Sequence, residues 1–148
     1  PGARVCEVAR QMGVDSFVFS PKDYASKAGF ESEIVARCRV AGVELICLAG
    51  YMRIVGPTLL DAYRGRIINL HPSLLPSFKG AHAIEQALEF GVKVFGATIH
   101  YVDETLDGGR IIAQRAVPYE GNDIDELTAA IHAVEHDLYI DTINKLLK

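Results

Sequence analysis

The residues best equipped for chemistry are Asn69 and His71, in the segment Asn69-Leu70-His71-Pro72-Ser73-Leu74-Leu75-Pro76, where an apolar run ends. Two positions apart on an extended chain, their side chains point to one face. A carboxamide and a protonated imidazole on one point suit acyl transfer, because both can donate to an oxygen that turns negative in a tetrahedral intermediate. Taken alone, the pair also fits a capping Asn and a structural His. A second element is Asp107 in Leu106-Asp107-Gly108-Gly109. A carboxylate brought near His71 favours the charged imidazole and can order a water for proton shuttling. By itself Asp-Gly-Gly reads as a turn. His100, in the strand pattern before this loop, reads either as a support for it or as a satisfied structural histidine. His82, after Lys79-Gly80-Ala81, falls near a helix start and is assigned no chemistry.

The elements that must position these groups alternate in the manner of an α/β chain. Val5, Val8, Ala9 and Met12 recur at helical spacing up to Gly13, and Phe17 to Phe19 read as a short strand. After the SPKDY turn, Phe30, Ile34, Val35 and Cys38 line a second helix that stops near Gly42. Leu45 to Ala49 is a continuous apolar run of the kind a parallel strand buried on both faces requires. A short helix opens at Pro57, and Arg66 to Leu70 form another buried strand that delivers Asn69 and His71 to its carboxyl end, where open α/β sheets bind ligands. Val94 to Tyr101 and Ile111 to Val117 are two strands joined by the Asp107 loop. A long helix from about Asp123 presents Leu127, Ile131, Val134 and Leu138 to the sheet.

The 148 residues, 49% of them apolar, suffice for one hydrophobic core and are read as a single domain over 1–148. No apolar run reaches the ~18 residues needed to span a bilayer, so no membrane partner is expected. Net charge is −4 with no basic stripe, which argues against nucleic acid. Cys6, Cys38 and Cys47 are odd in number and lack metal-ligand spacing, so a reducing cytoplasm fits and no metal is expected. Cys47 reads as an inert core residue.

The combination Asn69-x-His71-x-Ser73-x-Leu75-Pro76, Thr98-Ile99-His100 and Leu106-Asp107-x-Gly109 resembles the signature of the 10-formyltetrahydrofolate-using transferases and hydrolases, over essentially the whole chain. His71 to Pro76, Leu48-Ala49-Gly50-Tyr51-Met52-Arg53 and Val134-Glu135-His136 are most similar to the branch that acts on glycinamide ribonucleotide. The resemblance implies a formyltransferase-type, Rossmann-like, doubly wound and mostly parallel sheet. It also implies an enzyme of purine biosynthesis that moves a formyl group from 10-formyltetrahydrofolate to the amine of glycinamide ribonucleotide. Alternatives are a formyltetrahydrofolate hydrolase and a catalytically incomplete folate-binding fragment.

By the same resemblance Asn69, His71 and Asp107 are catalytic. Arg53, Ile54, Val55, Leu60, Ile67, Asp103, Glu104 and Leu106 cup the folate. Gly50, Met52, Pro72, His132 and Glu135 meet the amine substrate, while Thr98 and His100 stand behind the trio. A cis peptide is implied at Leu75-Pro76, and no metal takes part. On composition alone, Ile54 to Ile67 is core packing and Glu135 a solvated helix face.

The sequence departs from that pattern at its start, where the family has a strand, a Gly-rich phosphate-cradling loop with its helix, and a second strand. The expectation is a domain without that β-α-β segment. The Leu45 strand would then present an open edge and neighbouring helices an apolar surface, which favours aggregation, partial disorder or pairing with a second chain, a homodimer included. His132 stands where relatives have Gln, and Lys79 and Arg110 where they have Pro.

Overall fold

The computed structural model describes residues 3–51 and 53–148; Met52, expected at the substrate, lies outside them. The elements run α1 (Arg4–Gln11), α2 (Lys27–Val40), β1 (Ile46–Leu48), α3 (Pro57–Ala62), β2 (Ile67–His71), α4 (Ala83–Phe90), β3 (Val94–Tyr101), β4 (Ile111–Pro118) and α5 (Ile124–Leu146). The four strands form one sheet in sequence order. β1 pairs with β2 in parallel, whereas β2–β3 and β3–β4 are antiparallel. The α/β layout stands, and the sheet over the described residues is mixed, with one parallel ladder where a mostly parallel sheet was expected.

Packing follows the period-2 alternation of β2. Ile67 faces α2 and α3, in a cluster with Val35, Val55, Leu59, Leu60 and Tyr63. Ile68 faces the other way and packs with Ala97, Ile99 and Leu138 of α5. A third cluster joins α4 to α5 through Ile84, Ala87, Phe95, Leu127 and Ile131. Helix α5 is capped by Asp123, whose carboxylate accepts from the backbone N–H groups of Asp125 and Glu126. Its buried stripe is Leu127, Ile131, Glu135, Leu138 and Thr142, so Glu135 takes the inward place expected of Val134.

Two readings of the early chain are corrected. Phe17 to Phe19 form no strand, since among the described residues no neighbour pairs with them to complete a ladder. Phe17 and Phe19 stack instead, with the Arg37 guanidinium 4.4 Å from the Phe17 ring centre. Strand β1 is not buried on both faces: among the described residues it pairs only with β2, and Cys47 is exposed on it rather than buried in a core. Helix α1 buries no residue, and Val5 and Met12 are solvent-exposed.

Candidate active site

Antiparallel pairing of β2 with β3 sets Asn69 opposite His100 and His71 opposite Thr98. Each residue of that pair of pairs therefore shares a face with its cross-strand neighbour. His100 Nδ1 lies 2.9 Å from the Tyr101 carbonyl and donates to it, which leaves Nε2 as an acceptor for Asn69 Nδ2 at 3.4 Å. The second hydrogen of that amide remains available to the cavity. His71 is oriented the same way by a backbone acceptor: its Nε2–H donates to Phe78 O at 2.8 Å. Nδ1 is thereby turned towards Asp107, 3.5 Å from Oδ2.

Asp107 is delivered from the opposite side by the loop between β3 and β4. It adopts φ +45°, a left-handed conformation that Asp tolerates better than most residues. The loop folds back tightly enough that a Cβ on Gly109 would stand 1.8 Å from Tyr101 O. Oδ2 of Asp107 accepts from the Gly80 N–H at 2.8 Å, and Oδ1 lies 3.7 Å from His100 Nε2. The segment Ser77–His82 thus touches both catalytic candidates through its backbone, His71 through Phe78 O and Asp107 through Gly80 N. Behind it, Thr98 Oγ1 donates to Ser73 O at 2.6 Å and accepts from Leu75 N at 3.1 Å, tying the turn after His71 to β3. The Leu75-Pro76 peptide is cis, as the resemblance implies.

These groups face a cavity of about 610 Å³. Asn69, His71, Asp107 and His100 meet there, together with Arg53, Ile54, Val55, Asp103 and Leu106 of the expected folate set and Gly50, Pro72, His132 and Glu135 of the expected substrate set. Three expected folate residues are not brought to it. Ile67 shares the face of Asn69 and His71 but starts the strand, where Leu59, Leu60 and Tyr63 cover it. Leu60 is buried in that cluster and borders a separate, smaller cavity. Glu104 borders the same smaller cavity and pairs with Arg64 at 2.9 Å.

Glu135 is an acid on the α5 wall of the site. Burial raises its pKa above the ordinary carboxylate value, opposed by the nearby imidazoles of His132, His136 and His71. His132 Nε2 is 3.8 Å from Glu135 Oε2. Across the cavity Asp103 is held low, first by its hydrogen bond from the Thr105 side chain and despite partial burial. Sequence reasoning missed Phe78 and Gly80, whose contributions are backbone atoms and leave no side-chain signature. It also gave His82 no place at the site, yet His82 lines the cavity with a largely exposed ring at the start of α4.

A sheet that brings an amide and an imidazole from one strand and a carboxylate from a neighbouring loop to one cavity is the architecture of an acyl-transferring α/β enzyme. The formyl transferase model matches residues 1–143, and the chain belongs to that family. It is 51% identical to phosphoribosylglycinamide formyltransferase of Bacillus subtilis over 148 residues, 99% of this chain and 76% of that protein. Among solved structures, phosphoribosylglycinamide formyltransferase of Bacillus halodurans superposes with a TM-score of 0.95 at 53% identity, over 100% of this chain and 77% of that one. Glycinamide ribonucleotide transformylase 1 of Geobacillus kaustophilus gives 0.96 at 54% identity, over 100% and 79%. No helix among the described residues is long and apolar enough to cross a membrane.

Proposed function

We propose that this chain transfers the formyl group of 10-formyltetrahydrofolate to the amine of glycinamide ribonucleotide, a step of purine biosynthesis. The observation that carries the reading is the convergence of Asn69 Nδ2, His71 Nδ1 and Asp107 on one cavity, with each side chain oriented by a second partner. The cavity volume lies within the range of small-molecule sites, ~300–1,000 Å³. Its wall offers what a flat heterocycle needs: Ile54 and Leu106 expose apolar surface beside the polar backbone of the Asp103–Asp107 loop. Arg53 supplies a cation for the acidic tail of a folate.

In this mechanism the substrate amine attacks the formyl carbon, and the carbonyl oxygen becomes negative. Asn69 Nδ2–H and a protonated His71 Nδ1–H donate to it, a stabilisation larger in the transition state than in the ground state. The attacking nitrogen loses a proton to Asp107, directly or through a water. As the bond from formyl carbon to folate nitrogen breaks, that proton passes to the departing nitrogen, giving tetrahydrofolate and the formamide. Glu135 receives the amine end of the substrate, with Gly50 and Pro72 as its walls. His132 flanks Glu135 on the same helix. Three free cysteines support a cytoplasmic setting.

The test is an assay with 10-formyltetrahydrofolate and glycinamide ribonucleotide that separates formylated amide from free formate, with Asn69→Ala as control. Formylated product that the control loses supports the reading. Formate alone would make the protein a hydrolase, and no turnover of either kind overturns the proposal.

A further inference from the structure

Glu31 of α2 is a carboxylate only 1% exposed, far in sequence from the catalytic groups. A buried carboxylate is costly unless its oxygens are hydrogen-bonded. Here the partners are backbone N–H groups at the start of α3: Gly56 donates to Oε1 at 2.5 Å and Leu59 to Oε2 at 3.3 Å. Gly56 occupies the N-cap of α3 and has no side chain to cap it, so a residue 25 positions earlier does so instead. Gly56 is required here by space, since its φ of −90° is open to any residue. A Cβ at that position would lie 2.7 and 2.8 Å from the two carboxylate oxygens of Glu31.

The segment so anchored is the cavity wall. Arg53, Ile54 and Val55 immediately precede Gly56 and line the main cavity. Among the described residues, no backbone–backbone hydrogen bond holds residues 53–55, which lie outside any helix or strand. Their position therefore depends on side-chain anchors. Val55 supplies one, buried against Leu59 and Leu60, and the Glu31 carboxylate fixes the far end of the segment. Burial raises the pKa of the Tyr51 phenol in the same wall, with the Glu31 charge adding to the rise and the Arg53 charge opposing it.

We propose that Glu31 is a positioning residue for the folate side of the site: it holds Arg53–Val55 in place and so governs affinity for 10-formyltetrahydrofolate without taking part in formyl transfer. This rests on the function proposed above. The experiment measures kcat and the KM for each substrate, with thermal midpoints, for Glu31→Ala, Glu31→Gln and Gly56→Ala. Gln keeps one acceptor but turns an N–H towards a donor, and the Gly56→Ala methyl displaces the carboxylate from the other side.

The expected result for Glu31→Ala and Gly56→Ala is a folate KM raised about tenfold, with kcat and the amine KM within about twofold; Glu31→Gln falls between them and the unaltered protein. A lowered thermal midpoint with an unchanged folate KM would reduce Glu31 to a structural cap and overturn the proposal. A parallel loss in kcat with constant KM would overturn it as well. Should Glu31→Ala not fold, Glu31→Gln and Gly56→Ala decide the matter. If the unaltered protein makes no formylated amide, the function reading fails by itself. Calorimetric binding of tetrahydrofolate to the same variants then decides this proposal, with a weakened Kd upholding it and an unchanged Kd overturning it.

Discussion

Asn69 and His100 are direct cross-strand partners on β2 and β3, and the imidazole Nε2 of one receives the amide of the other at 3.4 Å. The same imidazole donates its Nδ1–H to the Tyr101 carbonyl, so its orientation is set by the strand backbone. His100 thereby chooses which end of the Asn69 carboxamide faces it, and leaves an N–H of that amide for the cavity. A pairing register, fixed by hydrophobic alternation along both strands, thus orients an oxyanion donor.

If Asn69 donates to the developing oxyanion, Asn69→Ala lowers kcat on the order of 100-fold with little change in either KM. His100→Ala, which frees the amide to rotate, lowers kcat about tenfold. The double variant costs little more than Asn69→Ala alone, because both act through one donor. Steady-state kinetics on the four proteins of this cycle check the coupling. Strict additivity would mean that His100 acts by another route.

Gly109 closes the loop that presents Asp107, and a Cβ there would meet Tyr101 O at 1.8 Å. Gly109→Ala must push the loop off β3, at a cost of about 1–3 kcal/mol in stability. The shift also withdraws the carboxylate from Gly80 N and His71, so kcat falls with it. Denaturant midpoints and turnover measured together test this, and loss of one without the other would separate the loop from the site.

The trio and its supports were legible because they are side chains of unusual type at fixed spacing, and because strand alternation carries Asn69 and His71 to one face. The runs at Val94 to Tyr101 and Ile111 to Val117 gave both strands, since antiparallel neighbours joined by a short loop need only local pattern. What stayed hidden were long-range relations. Glu31 gave no signal in the sequence, because its partners are backbone N–H groups at the start of α3. Glu135 reads as solvated because a stripe of Leu127, Ile131 and Leu138 accommodates Val134 or residue 135 equally well; the packing of α5 buries Glu135. Ile67 is a folate contact by resemblance and core packing by composition, and its cover by Leu59, Leu60 and Tyr63 depends on where α3 packs. Phe17 to Phe19 have strand composition, but a strand exists only where a neighbour completes its ladder.

Tyr139 of α5 donates its hydroxyl to Leu48 O at 2.8 Å and lies 3.4 Å from Ile68 O, so one phenol ties the helix to the edge strand β1 and to β2. Burial raises its pKa, so it remains a donor throughout the neutral range. Tyr139→Phe removes this link and costs about 1 kcal/mol. The loss should fall mainly on β1, which has one sheet neighbour among the described strands. Hydrogen exchange supplies the measurement, with faster exchange at Ile46 to Leu48 and unchanged protection in β3.

Glu135 gives the protein a pH dependence whose sign follows from its environment. Burial raises its folded pKa above the ordinary value of about 4.3, so the folded state holds this proton more tightly than the unfolded chain does. The resulting stabilisation is complete below the ordinary carboxylate pKa and is lost as pH rises through the raised value. The groups opposing the shift are His132 and His136 on the same helix and His71 from β2. Glu135→Gln keeps the shape and removes the charge, so its thermal midpoint relative to the unaltered protein should climb from about pH 4 upward. The climb levels once pH passes the raised value. The same variant should raise the KM for the amine substrate, since the carboxylate that meets it is gone. A difference in midpoint that stays flat from pH 4 to 8 would show that the buried charge carries no penalty and would overturn the burial account of the raised pKa.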